Sequence, residues 1–482
     1  MKLNKLFILA AFTPFLFSCS EDVMDDINKE KNETTEMAAD YIITDCGLKT
    51  AFETVGTDIA WYSSVYIEHS AGTWGQHVEA DKRLGQTSNS LMNNSWNNLY
   101  DVLKNLKFVL DKTDPVNGTE PNNRWARGIA YVLTAYNLAV ATDMWGEVPW
   151  TEALQGIIIM QPKYDKQSEI YPKIFAMLDS AIANLNLATS GLPSVDYIYG
   201  GTFANNKASW IRAANSLKAR YWMRLTNRNN QAAANALAAI NAGAFTSAAH
   251  EMKFAKYEET ATAENPWYQF LNDRTHLSVG QTLYNLMNDR NDPRIDVYFT
   301  KIGGVVVAAP NGTAQQTQGG TYSQSLLTIN GRTAPTPLMT FHELLFIKAE
   351  AEFRTSAATW QATLQEAVRA SFVSKGLTQQ VVADTYFTNE VTPRLTSGNE
   401  LNEILTQKYI ALYEHEAIEA YNDYRRTGIP TMNNPNNATT GFVNRFPWAL
   451  SEVSSNRNVP QTDLNYVYTT KVWWAGGNEL IP

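Results

Sequence analysis

Two cysteines and six histidines are all that 482 residues hold of the side chains that carry thiol and imidazole chemistry. One cysteine, Cys19, closes the amino-terminal apolar stretch, which leaves Cys46 alone in the rest of the chain. A single thiol forms no internal disulfide and builds no cysteine metal site, so Cys46 is expected to be a small buried apolar residue. Positive charge is scarce too: 39 Lys and Arg stand against 48 Asp and Glu, a formal charge of −9. Basic residues gather only in short pairs such as Arg425-Arg426. Nucleic-acid binding, which needs clustered Lys and Arg along a phosphate backbone, is therefore excluded.

Catalytic signatures are equally sparse. His342-Glu343-Leu344-Leu345-Phe346 begins like a zincin helix but has Phe346 where the second His must stand one turn on. His415 lies between Glu414 and Glu416, and neighbours one residue apart diverge around a helix, so this reads as a solvated or partly buried helical face. No G-x-S-x-G elbow, P-loop or G-x-G-x-x-G follows an expected strand. The chain reads as a non-enzyme without cofactor or metal.

Aromatic residues, by contrast, are plentiful. Thirteen Trp and twenty-three Tyr exceed what a core of this size needs, and such a surplus often lines binding surfaces. At the amino terminus Lys2 and Lys5 precede an apolar stretch from Leu6 to Phe17, interrupted by Pro14 and too short to span a bilayer as a mature helix. Leu16-Phe17-Ser18-Cys19 then resembles a bacterial lipobox, in which the Cys becomes lipidated after cleavage before it. Residues 1–18 are thus expected to be a signal peptide. Residues 19–39 contain Glu21-Asp22 and Asp25-Asp26 and are expected to be a lipidated acidic tether, similar to the export signal of surface lipoproteins.

From residue 40 to 482 helical periodicity dominates and no linker divides the chain, so one domain is expected. Leu99, Val102, Leu103, Leu106, Val109 and Leu110 form one stripe, and Trp125, Ile129, Val132, Leu133, Tyr136 and Val140 form the next. Further stripes run over 170–185, 210–225, 231–240, 341–353, 360–372 and 401–424. Helices paired by short turns predict an all-α fold of degenerate tetratricopeptide-like hairpins. Residues 300–337 and 427–482 lack a helical period and read as long ordered loops with minor β-structure. Loops on a rigid scaffold commonly carry binding sites.

Several segments, in order, resemble the SusD-like (SusD/RagB-type) family of nutrient-binding lipoproteins. They include Asn97-Asn98-Leu99-Tyr100, Thr142-Asp143-Met144-Trp145-Gly146-Glu147-Val148-Pro149-Trp150 and Trp210-Ile211-Arg212-Ala213-Ala214-Asn215. Asp292-Pro293-Arg294-Ile295, Pro337-Leu338-Met339-Thr340-Phe341-His342-Glu343, Tyr424-Arg425-Arg426-Thr427-Gly428 and Arg445-Phe446-Pro447 continue the series. The resemblance implies tetratricopeptide-like hairpins beside a loop-rich, ligand-binding half. It also implies a SusC-like TonB-dependent transporter as partner and an outer-membrane, cell-surface location through the lipid anchor.

A pyranose presents an apolar face of C–H groups and a rim of hydroxyls, so its site wants an exposed aromatic ring flanked by polar side chains. Trp74 sits in the helix-breaking run Ser70-Ala71-Gly72-Thr73-Trp74-Gly75, and Trp267-Tyr268 follows Asn265-Pro266 with Arg274 close behind. Tyr322 and Trp360 lie in or beside the loop-rich region. These six are the expected ligand contacts, with Trp74 and Trp267 as ring platforms. Trp96, Trp125, Trp210 and Trp222 fall on helical stripes and are expected in the core, while Trp473-Trp474 either packs the last segment or faces the transporter. Oligosaccharide capture leads the functional readings, with peptide capture and a helical scaffold without small ligand as alternatives. The anchor reading has a direct check: Cys19→Ala is expected to release the protein from membranes, because the tether offers no other apolar anchor. Persistence of the variant in the outer-membrane fraction of cells lacking the transporter would contradict it.

Overall fold

An amphipathic helix must bury its apolar stripe, and in the computed structural model, which describes residues 37–481, the neighbouring helix in sequence usually supplies the cover. Helices Ala39–Lys49 (α1) and Asp58–Tyr66 (α2) open the described chain. Asn93–Lys112 (α3) buries Trp96, Leu99, Val102, Leu103, Leu106 and Val109, the stripe read from the sequence. Arg124–Trp145 (α4) starts at Asn123, whose side chain accepts from the Ala126 N–H, and stops at Gly146, which adopts φ 82°. Gln167–Leu187 (α5), Phe203–Arg224 (α6) and Ala232–Asn241 (α7) follow. α3 packs on α4, α4 on α5, α5 on α6 and α6 on α7, as a succession of helical hairpins.

After the short helix Pro266–Asp273 (α8), Phe341–Arg354 (α9) and Trp360–Ser374 (α10) form another hairpin, followed by Glu400–Ala411 (α11) and Ala417–Thr427 (α12). The β-structure consists of two-stranded antiparallel ribbons: Ser70–Gly72 (β1) with Leu277–Val279 (β5), Val148–Pro149 (β2) with Tyr164–Asp165 (β3), and Met252–Phe254 (β4) with Thr336–Met339 (β6). The fold is all-α with minor β, as the periodicity predicts. Cys46 is buried, and Trp96, Trp125 and Trp210 are core residues, whereas Trp222 is half-buried and stacks on Phe175 with centroids 4.2 Å apart. Trp474 is fully buried, with the Arg425 guanidinium 4.9 Å from its ring, so it packs the last segment instead of facing a partner. Residues 1–18, Cys19 and most of the acidic tether lie outside the described residues.

One expected helix is broken. The stripe over 401–424 divides at 412–416, where Glu414 takes φ 72°. That backbone turn lets the buried Glu414 carboxylate accept from the hydroxyls of Ser325 and Thr328, joining the 300–337 loop to the scaffold. His415 is therefore in a turn and not on a helical face. The long loops contain short pieces of structure: Leu326–Ile329 and the start of β6 in the first, and Asn436–Thr439, Leu450–Ser455, Tyr466–Thr469 and the 3-10 turn Trp473–Ala475 in the second.

A network of buried ion pairs joins the hairpins. Arg220 on α6 grips Glu343 on α9, with Nε 2.8 Å from Oε1, and also approaches Glu419 on α12. One turn on, Arg224 reaches both Glu419 and Asp143 of α4. Arg426 on α12 holds Glu350 of α9 through two bonds of 2.6 and 2.7 Å and bonds Asp423 at 2.9 Å. Lys408 on α11 closes on the other oxygen of Asp423 at 2.7 Å. Removing one partner of a buried pair leaves an uncompensated charge, which costs about 3–5 kcal/mol. Arg426→Leu is expected to destabilise the fold by about that amount in urea unfolding, because it removes the bidentate partner of Glu350 and leaves Asp423 with Lys408 and Glu350 with Arg354 as the remaining cations. A loss below about 1 kcal/mol, the value of an exposed ion pair, would show the network to be dispensable.

Candidate ligand-binding site

The residue before Trp74, Thr73, is held from two sides by backbone bonds. The β1–β5 ribbon pairs Gly72 with Leu277, and just beyond it the Thr73 N–H donates to the His276 carbonyl at 2.8 Å. On the other edge the Thr317 N–H donates to the Thr73 carbonyl, also at 2.8 Å. Gly75 turns the chain at φ 57°, where a Cβ would stand 2.9 Å from the His276 ring, so both the turn and the contact require glycine. The indole of Trp74 is left 40 % exposed, which is what a stacking platform needs.

Arg274 is the residue after α8, is exposed, and lies close enough to His276 to hold that imidazole below its ordinary pKa, after the larger effect of burial. Tyr322 is half-buried, and its hydroxyl accepts from the Gln315 N–H at 3.1 Å within the same loop that Thr317 ties to Thr73. Gly319 of that loop sits beside Thr275. Trp74, Arg274 and Tyr322, distant in sequence, thus belong to one loop cluster.

The other expected contacts are placed elsewhere. Trp267 is 1 % exposed and stands edge-on to His415, with centroids 5.8 Å apart. The reason is local: Asn265 caps α8 by accepting from the N–H groups of Trp267 and Tyr268, and Pro266 occupies the first turn. What reads as a break starts a helix, and its stripe of Trp267, Phe270 and Leu271 turns inward. Trp267 is a core residue, and its role as a ring platform is corrected. Tyr268, on the other side of α8, is half-buried beneath Arg332, whose guanidinium lies 5.9 Å from its ring. Trp360 packs edge-on to Phe353 at 5.4 Å against the apolar core shared by α9, α10 and α11, outside the loop cluster. Thr73, Thr275, His276 and Thr317 escape sequence reasoning because only long-range backbone pairing brings them together.

The loop cluster rests on a buried polar knot. Glu68, at φ 61°, accepts from the N–H groups of Asn433 and Asn434 at 2.8 and 3.0 Å and from the Asn437 amide at 3.1 Å. Asp81, at the end of the helix Gln76–Asp81 that follows Trp74, accepts from the Gly312 N–H at 2.6 Å, while its other oxygen is buried without a partner among the described residues. Burial pushes the Asp81 carboxyl up to about 7, against the pull of Arg83 and the Gly312 N–H.

A family model described as "Starch-binding associating with outer membrane" matches residues 31–447. The chain belongs to the SusD-like family. A SusD/RagB family protein from Bacteroides thetaiotaomicron is 33% identical over 92% of this chain and 100% of its own, with a TM-score of 0.83. A chitin-binding protein, 24% identical, covers 91% of this chain and 100% of its own at a TM-score of 0.75. A chitin-binding SusD homolog from Flavobacterium johnsoniae, 20% identical over 91% of this chain and 100% of its own, superposes at 0.73 and shares the fold. Among curated proteins none matches. In this SusD-like protein no described helix is long and apolar enough to cross a membrane.

The Asp81 carboxyl gives the knot a pH signature. A carboxyl whose folded pKa is raised from 3.8 to about 7 contributes stability below about pH 4 that is lost as pH rises through 7. Asp81→Asn keeps an acceptor for Gly312 and carries no charge. Its melting temperature relative to the parent protein is expected to rise between pH 5 and pH 8, by differential scanning fluorimetry at the two pH values. A difference that is constant with pH would place the ionisation elsewhere.

Proposed function

We propose that this SusD-like protein is a surface-anchored, non-catalytic lipoprotein that captures oligosaccharide on the Trp74 platform. It then delivers the ligand to a SusC-like TonB-dependent transporter. The observation that carries the reading is the exposed Trp74 ring, next to a Thr73 backbone bonded on both edges and in the loop cluster that also holds Arg274 and Tyr322. An exposed indole on a tethered backbone offers a face for the C–H side of a sugar, and a guanidinium and a phenol in the same loop cluster suit its hydroxyls. The chitin-binding relatives support a glycan over a peptide. A transporter partner is supported by the loop tip bearing Ile157, Ile158 and Met160, exposed at 91, 81 and 79 %. Large apolar side chains grouped on a soluble surface mark a place where another protein covers them.

Calorimetry with chitin- and starch-derived oligosaccharides tests the reading, using the soluble Cys19→Ala protein. Trp74→Ala is expected to weaken binding roughly fivefold to a hundredfold, the effect of removing a stacked aromatic worth about 1–3 kcal/mol, without lowering the melting temperature. Trp267→Ala, the buried control, is expected to cost about 3–5 kcal/mol of stability. Chain lengths of the bound sugar should be unchanged after a day. Unaltered affinity in Trp74→Ala, or appearance of shortened products, would refute the proposal.

A further inference from the structure

A cleft of about 560 Å³ opens between the β4–β6 ribbon, the start of α9, the end of α10 and the turn before α12. Its size is that of a small-molecule site. None of the six sequence-derived contacts lines it. Phe341 and Val373, the latter 50 % exposed, supply apolar wall. The floor is polar and buried: His342 Nε2 lies 3.1 Å from Oε2 of Glu416, whose Oε1 accepts from the Thr340 hydroxyl at 2.7 Å. His342 is 2 % exposed, and its Nδ1 has no hydrogen-bond partner among the described residues. A buried polar atom in that state leaves one hydrogen bond to be made by water or by a ligand group.

Charge in the cleft is unevenly compensated. Lys253 is paired with Glu251 at 3.1 Å, and Arg369 with Asp384 outside the cleft. Glu416 is engaged by His342 and Thr340, and Glu414 by Ser325 and Thr328. Lys375, half-buried at the end of α10, has no carboxylate within ion-pair distance among the described residues; the Tyr298 ring lies 5.9 Å from its Nζ, and Glu416, Glu414 and Glu251 attract it from farther away. A partly desolvated ammonium with no carboxylate in direct contact gains from an anion brought against it.

We propose that this cleft is a second ligand site that takes a carboxylate-bearing sugar. Lys375 is the counter-ion, His342 Nδ1 bonds a hydroxyl, and Phe341 with Val373 lie against the apolar face of the ring. The anion follows from the cleft alone, while the choice of a sugar rests on the glycan reading above. Burial holds the Lys375 ammonium below its ordinary range, and an incoming carboxylate reverses that bias.

Saturation-transfer NMR titrations with the soluble Cys19→Ala protein test the proposal, using D-glucuronate, D-glucose and acetyl-Ala-Ala as probes. Glucuronate is expected to bind roughly tenfold to a hundredfold more tightly than glucose, the range of a charge-assisted hydrogen bond. Lys375→Gln should abolish that preference and Lys375→Arg retain it. Val373→Trp, at an exposed position on the wall, should block binding with the fold intact by thermal melt. Trp74→Ala should leave glucuronate binding unchanged, so that failure of the platform and failure of the cleft give different results. Equal binding of glucuronate and glucose, or an unaltered preference in Lys375→Gln, would overturn the proposal. Binding of acetyl-Ala-Ala as tight as that of glucuronate would overturn the assignment to a sugar.

Discussion

The buried ion pairs centred on Arg220, Arg224 and Arg426 are the interaction on which the remaining architecture depends. They join α4, α6, α9, α11 and α12, helices that are far apart in sequence and whose apolar stripes alone specify no unique order of stacking. Apolar contacts tolerate sliding and rotation, whereas a guanidinium fork meets a carboxylate in a narrow range of geometries. The carboxylates of these pairs are all desolvated: burial leaves Glu343 and Asp143 above their ordinary range, while the partners of Glu350, Glu419 and Asp423 hold these below it despite burial. Asp423, beside Lys408, Arg426 and Arg224, lies well below the usual carboxylate range despite its burial. Such pairs add little net stability over an apolar core, and their value here is in setting which hairpin faces which.

With α9 and α12 locked together, the turn between α11 and α12 has a defined position, and two functional consequences follow. Glu414 leaves the helical path and anchors the 300–337 loop through Ser325 and Thr328. That loop in turn supplies Thr317, which holds Thr73 and hence the indole beside it. On the far side of the same turn, Glu416 meets His342 and forms the polar floor of the cleft that ends at Lys375. The loop that reaches Thr73 and the floor of the cleft thus both contact one backbone turn in a helical scaffold.

Helices were legible because their signal is local. The stripe Leu99 to Leu110 and the stop at Gly146 are read within a few residues, and the structure places both as expected. The failures share one cause. At 401–424 the apolar period continues through Glu414, and only the distant hydroxyls of Ser325 and Thr328 make the break favourable. At Asn265-Pro266 the same residues serve as a loop signal or as the cap and first turn of a helix, and the packing of Trp267 against His415 decides between them.

By itself, then, the sequence determined the all-α class, the hairpin succession, the core places of Trp96, Trp125 and Trp210, and the family, because periodicity, capping and ordered motifs are properties of short segments. Tertiary structure alone decided which aromatic rings remain exposed, which loops meet at Trp74 and where an unpaired lysine is left at the edge of a cleft. Those outcomes depend on backbone bonds such as Thr317 to Thr73 and ion pairs such as Arg220 to Glu343, between residues hundreds or many tens of positions apart. No local pattern encodes the presence of the distant partner, so the loop cluster around Trp74 becomes visible only once the chain is folded.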